Sequence, residues 1–90
     1  ARIVKCGLIQ ARSVAPIDAP PDKLKAINLE HQMQYVDAAG KAGVQILSLQ
    51  EVFNTPYFCA EQKVRWYDTT EKVPDGPTIK RFQEIAAKYK

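Results

Sequence analysis

One carboxylate that could do acid–base chemistry lies where α/β proteins commonly bind their ligands. Glu51 comes just after the apolar segment Val44–Leu49 and just before a stretch rich in aromatic residues. In open α/β sheets, ligands bind beyond the carboxyl ends of the strands, and Gln10 and Gln50 reach the same edge. Partial desolvation there makes a carboxylate a better base near neutral pH. A helix cap or an ion pair is the structural alternative for Glu51.

The remaining reactive side chains give weaker indications of function. His31 is the single histidine, and its mid-helix position favours a hydrogen-bonded core or interface residue. Cys59 has no obvious activating base nearby, so burial is its predicted role. Three acidic residues separated by turns are predicted to be solvated: Asp68, Glu71 and Asp75. The glycines match neither the GxGxxG nor the Walker phosphate-loop spacing.

Composition and charge exclude several classes of protein. Thirteen Lys and Arg residues against ten Asp and Glu give a dispersed charge of +3, which is not the contiguous basic stripe of a nucleic-acid-binding protein. The two cysteines, Cys6 and Cys59, fit no zinc or CxxC spacing. We expect a buried Cys6 and two free thiols, hence a reducing compartment. No apolar run suits a bilayer span or signal peptide, so we predict a cytoplasmic protein that binds neither membrane nor nucleic acid.

Two segments predict strands on either side of a helix. Ile3–Gln10 is largely apolar and rich in β-branched residues, which is typical of a strand buried on both faces. Val44–Leu49 is the second buried strand. The proline-containing loop Ala11–Pro21 leads from the first strand into the helix. A strand–helix–strand unit predicts parallel strands joined by a right-handed crossover.

The helices are predicted from their ends and their apolar spacing. The first begins at a cap supplied by Asp22 and ends near Ala42, where Gly43 tolerates a positive φ. Together, two stripes cover more than half of its circumference, as expected for a helix that packs on a sheet and touches a second layer. One apolar stripe comprises Leu29, Met33, Val36, Gly40 and Gly43, and the neighbouring stripe comprises Leu24, Ile27, His31, Tyr35 and Ala38/Ala39. After the second strand we predict an ordered loop with one short helix near Ala60–Tyr67. A final helix starts at Pro77 and runs to the end of the chain.

The resulting order, β-α-β-(loop)-α, is small for an α/β protein. A two-stranded parallel sheet cannot cover both of its faces and leaves two unpaired edges. Ninety residues also bury little apolar surface. We therefore expect the opening part of a larger α/β domain, and we expect the isolated chain to aggregate or to pair with the remaining part.

Three motifs together resemble the nitrilase superfamily of carbon–nitrogen hydrolases. They are the first strand (IVKCGLIQ), the segment 43–57 (GVQILSLQEVFNTPY) and the turn 73–78 (VPDGPT). Within that superfamily, LQEVFNTPYFCAEQ and the PIDAP stretch at 16–20 resemble β-ureidopropionases and related N-carbamoyl amidohydrolases. The resemblance covers essentially the whole chain.

The resemblance implies a fold and an assembly. The family fold is a four-layer α-β-β-α sandwich, of which residues 1–90 would form the N-terminal portion of a single domain. Subunits of the family pack across their helical layers, which implies a homo-oligomer here.

The resemblance also implies a reaction and its residues. The family hydrolyses C–N bonds with a Glu–Lys–Cys triad and without metal or cofactor. Glu51 matches the general base, whereas the lysine and the cysteine are expected beyond Lys90. Phe53, Asn54 and Tyr57 would line the substrate pocket, with packing as the alternative role for each. The implied small-molecule substrate is an N-carbamoyl amine or amino acid, foremost N-carbamoyl-β-alanine, an intermediate of pyrimidine degradation.

Two other interpretations remain open at the level of sequence. The chain could be a non-catalytic structural or interaction fragment that is inactive without further sequence. It could also be an unrelated flavodoxin-like binding domain, which predicts an acidic or phosphate-binding first loop. Ala11–Pro21 offers only Asp18 as an acid and contains no glycine, which argues against the second interpretation.

Overall fold

The computed structural model describes residues 2–60 and 62–89. Its elements follow the predicted β-α-β-(loop)-α order: β1 (Cys6–Ile9), α1 (Pro21–Lys41), β2 (Ile46–Leu49), the 3₁₀ helices η1 (Phe58–Ala60) and η2 (Val64–Thr69), and α2 (Pro77–Tyr89). The strands pair in parallel, as predicted, with Cys6 opposite Ile46 and Ile9 opposite Leu49. Both strands are shorter than the apolar segments from which they were predicted.

The two faces of the sheet differ, so the prediction of strands buried on both faces is wrong. Side chains of a strand alternate between faces, and α1 and α2 cover one face only. Ile9 on the covered face is buried, whereas Leu8 and Ile46 are 75% and 59% exposed. Cys6 and Ser48 lie on the same side as Leu8 and are exposed as well, so the predicted burial of Cys6 is also wrong. We call Cys6, Leu8, Ile46 and Ser48 the open sheet face.

The hydrophobic core lies between the covered face and the two helices. Its buried members come from β1, α1 and α2: Ile9, Leu29, Met33, Val36 and Ile85. The apolar stripe predicted for α1 therefore supplies most of the core. The neighbouring stripe is only partly covered by the described residues: Leu24 is buried, whereas Ile27 and Tyr35 remain 43% and 46% exposed.

The ends of α1 only partly match the prediction. The helix begins at Pro21 with Pro20 as its N-cap, and no side chain caps it, so the role predicted for Asp22 is wrong. Proline suits the first helical position because its missing N–H has no intrahelical acceptor there. At the other end Gly43 adopts φ 81°, as predicted.

Helices α1 and α2 meet closely near their C-terminal ends. Gly40 faces the ring of Tyr89, and a Cβ at Gly40 would clash with that ring. The Tyr89 hydroxyl donates a hydrogen bond to Asp37 Oδ1, and the ammonium groups of Lys41 and Lys88 lie 3.1 and 3.3 Å from the Asp37 carboxylate. The Tyr89 hydrogen bond and these cations lower the pKa of Asp37 to about 2.

The loop after β2 contains two 3₁₀ helices instead of the single helix predicted near Ala60–Tyr67, and Glu61 lies outside the described residues. Trp66 is buried and stacks on Phe58 with ring centroids 5.9 Å apart. Pro77 begins α2, as predicted. Within the part of the chain that the structure describes, no helix is long and apolar enough to cross a membrane.

Candidate active site

Glu51 lies where the sequence predicts it, beyond the carboxyl end of β2. Gln50 separates it from the strand and contacts the loop that follows β1. The Gln50 side chain accepts a long hydrogen bond of 3.4 Å from the Ala11 amide and donates one to the Ala11 carbonyl. The position of Glu51 relative to both strand ends is therefore fixed through its neighbour.

The carboxylate of Glu51 is exposed in this chain. The expectation that the aromatic loop desolvates it is wrong for the described residues, because the nearest aromatic side chains in sequence either pack on another element or are exposed themselves. Phe53 contacts Phe82 of α2 edge to face, with centroids 5.6 Å apart, and Tyr57 is itself 73% exposed. An exposed carboxylate on a fixed backbone can accept a proton from a group brought to it by other parts of a protein.

The residue after Glu51 has an unusual backbone conformation. Val52 adopts φ 55°, in the left-handed region that β-branched residues rarely enter. Such a conformation costs about 1–3 kcal/mol and persists only where surrounding contacts impose it. The turn is closed by a long hydrogen bond of 3.4 Å from the Thr55 amide to the Val52 carbonyl.

Asn28 of α1 joins the two loops at the carboxyl end of the sheet. Its side chain is 1% exposed. The Asn28 Oδ1 accepts hydrogen bonds of 2.9 and 3.2 Å from the amides of Val14 and Ala15, in the loop after β1. Its Nδ2 donates to the carbonyl of Asn54, at 3.3 Å, in the loop after β2.

A second buried polar group links α1 to the start of α2. The ammonium of Lys25 forms an ion pair with Glu71 Oε2 and donates to the carbonyl of Thr69 at 2.8 Å. Glu71 accepts hydrogen bonds from the Thr78 amide at 2.8 Å and from the Thr78 hydroxyl at 2.6 Å. Burial raises the pKa of Glu71, but the hydrogen bonds from Lys25 and Thr78 outweigh it and leave that pKa below its ordinary value.

The two arrangements are continuous. Asn54 Nδ2 donates to Thr78 Oγ1 at 3.2 Å, which connects the Asn28 contacts with the Glu71 contacts. Lys25 and Asn28 lie three positions apart on α1 and therefore on the same face of that helix. The two sets of contacts thus also start from neighbouring positions on α1. We call Lys25, Asn28, Asn54, Glu71 and Thr78 the polar ring.

Gly76 makes room for one member of the polar ring. A Cβ at Gly76 would lie 2.6 Å from the Glu71 side chain and 2.9 Å from the Lys72 carbonyl. The glycine of the PDGPT turn therefore lets the Glu71 carboxylate reach the first turn of α2. Backbone N–H groups there have no intrahelical acceptor and favour a negative charge.

The polar ring contains functional candidates that the sequence did not reveal. Glu71 was predicted to be a solvated loop charge, and its side chain is instead 11% exposed. Asn28 had one usable signal, because asparagine is unfavourable inside a helix unless its side chain has a specific partner. Lys25 had none, since lysine is common on helix surfaces.

The other candidates take the following places. Asp68 and Asp75 are exposed, as predicted. His31 is half-buried and contacts the Tyr35 ring edge to face at 5.5 Å, so it packs against a neighbour on its own helix. Cys59 is exposed, which contradicts its predicted burial.

Cys59 belongs to an open cavity of about 580 Å³ in the aromatic loop. The cavity is lined mostly by apolar and aromatic side chains, among them Phe58, Trp66 and Tyr67. Glu51 is not part of its wall, so cavity size and candidate chemistry point to different places. Catalysis needs a proton acceptor more than an apolar recess, and we place the candidate site at Glu51.

Sequence comparison assigns the family. A family model described as carbon-nitrogen hydrolase matches residues 7–90. The chain belongs to the carbon–nitrogen hydrolase family. This confirms the resemblance to the nitrilase superfamily, and the two-stranded parallel sheet with its helices is consistent with part of such an α/β fold.

Two named relatives show which members of the family this chain resembles. The chain is 42% identical to a β-ureidopropionase of Arabidopsis thaliana over 90 aligned residues, which cover 98% of this chain and 21% of the relative. It is 30% identical to an N-carbamoylputrescine amidase of Oryza sativa subsp. japonica over 82% of this chain and 25% of that protein. The chain thus spans about a fifth to a quarter of the length of these relatives. No solved structure matches it significantly.

Proposed function

We propose that this chain is the N-terminal segment of an amidohydrolase that cleaves the C–N bond of an N-carbamoyl amine or amino acid. N-carbamoyl-β-alanine is the substrate we favour, since the β-ureidopropionase relative aligns with 98% of the chain at 42% identity. The observation that carries the proposal is the position of Glu51, at the carboxyl end of β2 on a turn that is fixed at both ends.

In the proposed reaction, Glu51 takes the thiol proton of a cysteine nucleophile, and the thiolate attacks the carbamoyl carbonyl. A lysine stabilises the oxyanion that forms. When the oxyanion collapses, one C–N bond of the carbamoyl group breaks and the leaving nitrogen takes the proton from Glu51. Glu51 then helps to activate the water that hydrolyses the remaining thioester and releases the enzyme. One N-carbamoyl compound and one water give ammonia, carbon dioxide and the free amine. We assign the lysine and the cysteine to sequence beyond Lys90, and we propose no metal or cofactor.

The exposure of Glu51 supports this division of labour. A general base must come within hydrogen-bond distance of the proton that it removes. A carboxylate left open on a fixed turn is accessible to a cysteine supplied by another segment. We assign Phe53, Asn54 and Tyr57 to the surroundings of the substrate, although the contacts of Phe53 with α2 and of Asn54 within the polar ring support structural roles for both.

The proposal extends to the fold and the assembly. The open sheet face is apolar at Leu8 and Ile46, and a second sheet packed there would give the α-β-β-α sandwich of the family. The exposed Ile27 and Tyr35 on α1 support a homo-oligomer formed through helical layers. A cytoplasmic location and a role in pyrimidine degradation belong to the same proposal.

The test is an ammonia-release assay of the full protein that contains this chain. N-carbamoyl-β-alanine and N-carbamoylputrescine are compared as substrates at equal concentrations, and we expect the higher kcat/KM for N-carbamoyl-β-alanine. Preference for N-carbamoylputrescine would contradict the proposed substrate but agree with the proposed type of reaction. No turnover of either would favour the non-catalytic alternative. The chain alone is expected to be inactive, and turnover by it would overturn the assignment of the missing residues.

A further inference from the structure

The turn that carries Glu51 is held at both ends by hydrogen bonds to other segments of the chain. Before the turn, Gln50 bonds to both backbone groups of Ala11. After the turn, Asn54 bonds to Asn28 through its carbonyl and to Thr78 through its side chain. The first anchor lies at the end of β1, and the second is the polar ring.

The strain at Val52 shows that these anchors determine the conformation. A valine at φ 55° relaxes unless its neighbours prevent it, because the left-handed region is unfavourable for a β-branched residue. Only two positions, Val52 and Phe53, separate Glu51 from the anchor at Asn54. A change in the anchor therefore changes the backbone from which the Glu51 side chain extends.

We propose that the polar ring positions Glu51. Through its hydrogen bonds with Glu71 and Asn54, Thr78 connects the buried Lys25–Glu71 ion pair to the turn that carries Glu51. The inference rests on the proposed role of Glu51 as the general base. The proposed role of the polar ring is positioning, not proton transfer. Its members act by fixing the backbone that presents the carboxylate.

Thr78 is the member that couples the two halves of the ring. Its hydroxyl donates to Glu71 Oε2 and accepts from Asn54 Nδ2, so hydrogen bonding runs in one direction from Asn54 to Glu71. Groups in such a chain polarise one another inside a protein. Removing the hydroxyl breaks both bonds and leaves the Asn54 amide without its partner. Valine replaces threonine with almost the same shape.

The experiment uses the full protein and compares Thr78→Val with Thr78→Ser and with Thr70→Val. Thr70 is the matched control, because its hydroxyl bonds locally to the Tyr67 carbonyl and lies outside the ring. Misplacement of a catalytic group by about 1 Å can cost on the order of a hundredfold in rate. We expect Thr78→Val to lower kcat by about tenfold or more, with KM changed less than about twofold. Thr78→Ser should restore kcat, and Thr70→Val should leave it unchanged.

Hydrogen exchange of the amides of residues 51–55 is measured on the same proteins. Faster exchange in this segment of Thr78→Val, together with the fall in kcat, supports the proposal. A lowered thermal midpoint with normal kcat would show a structural role only and would overturn it, as would unchanged exchange of the segment.

Glu51→Gln is assayed in parallel to separate the two hypotheses. If Glu51→Gln is inactive and Thr78→Val has normal kcat, the positioning role alone is wrong. If Glu51→Gln keeps normal activity, the proposed base is wrong, and the positioning role falls with it.

Discussion

The ammonium of Lys25 and the carboxylate of Glu71 form an ion pair whose two side chains are only 10% and 11% exposed. It joins the N-terminal part of α1 to the loop in front of α2, across about half of the sequence. A buried ion pair is weak evidence for added stability, since desolvation opposes the attraction. Removing one partner is different, because the remaining charge stays buried without compensation.

Lys25→Met should therefore destabilise the protein strongly. Methionine retains the aliphatic length of lysine and leaves the Glu71 carboxylate without its cation. We expect the free energy of unfolding to fall by about 3 kcal/mol, the magnitude typical of a broken buried pair. Chemical denaturation of the full protein at neutral pH measures it.

The matched control for this variant is a second ion pair that also starts from α1 but lies on the surface, between α1 and α2. Glu30 and Arg81 lie 3.3 Å apart, with side chains 63% and 36% exposed. Exposed pairs contribute about 0–1 kcal/mol, so Glu30→Gln should change stability little. Equal losses in Lys25→Met and Glu30→Gln would contradict the importance that we give to burial.

The contribution of the Asp37 carboxylate to folding stability should disappear in acid, over a narrow range of pH. The hydrogen bond from Tyr89, then Lys41 and Lys88, lower the folded-state pKa from 3.8 to about 2. A lowered pKa means that the charged form stabilises the fold, so the contribution is complete above pH 3.8 and disappears as pH falls through 2. Thermal midpoints of the wild type and Asp37→Asn should differ at pH 6 and converge near pH 2. Glu71 is present in both proteins and cancels. A constant difference across this range would refute the linkage.

The sequence predicts most of the fold, because its signals are local. Gly43, Pro77 and the apolar spacing of Leu29, Met33 and Val36 act through backbone geometry and periodicity, and all appear in the structure. The prediction of strands buried on both faces is wrong for the described residues, because an apolar residue such as Leu8 does not show which elements of this chain cover it.

The same limit applies to the candidate site. Strand-end placement of Glu51 follows from local pattern, whereas the Lys25–Glu71–Thr78 contacts depend on tertiary packing between segments far apart in sequence. Nothing in the spacing of these residues distinguishes them from surface side chains.

The open sheet face predicts different accessibility for the two thiols. Both Cys6 and Cys59 are exposed in this chain, but only Cys6 lies on the face where a second sheet is proposed. In the full protein Cys6 should resist a thiol reagent, and Cys59 should react much faster. Peptide mass mapping after brief alkylation measures both sites in one sample. Rapid labelling of Cys6 in a folded, active protein would contradict the sandwich.

Because Gly40 of α1 lies against Tyr89 of α2, we predict that Gly40→Ala destabilises the wild type and stabilises a variant that lacks the Tyr89 ring. Gly40→Ala adds a Cβ that clashes with the Tyr89 ring, so that ring or α2 must shift, at a cost of about 1–3 kcal/mol. In a Tyr89→Ala background that ring is absent, and the helix propensity of alanine should make Gly40→Ala stabilising by up to about 1 kcal/mol. Denaturation midpoints of the four proteins of this cycle are the measurement. Additive effects would show that the two residues do not interact.

Substitutions of Glu51 distinguish chemistry from placement. Glu51→Gln keeps the shape of the side chain and removes the proton acceptor, so we expect turnover to be essentially abolished. General base catalysis contributes about 10²–10⁴-fold, so kcat should fall by about a thousandfold. Because the side chain is exposed, stability should change by less than about 0.5 kcal/mol. Glu51→Asp retains a base but withdraws it by one methylene, and it should keep measurable activity with kcat lowered far more than KM is raised. If Glu51→Gln and Glu51→Asp lose activity equally, position matters as much as proton transfer, whereas normal rates for Glu51→Gln would assign the carboxylate a structural role.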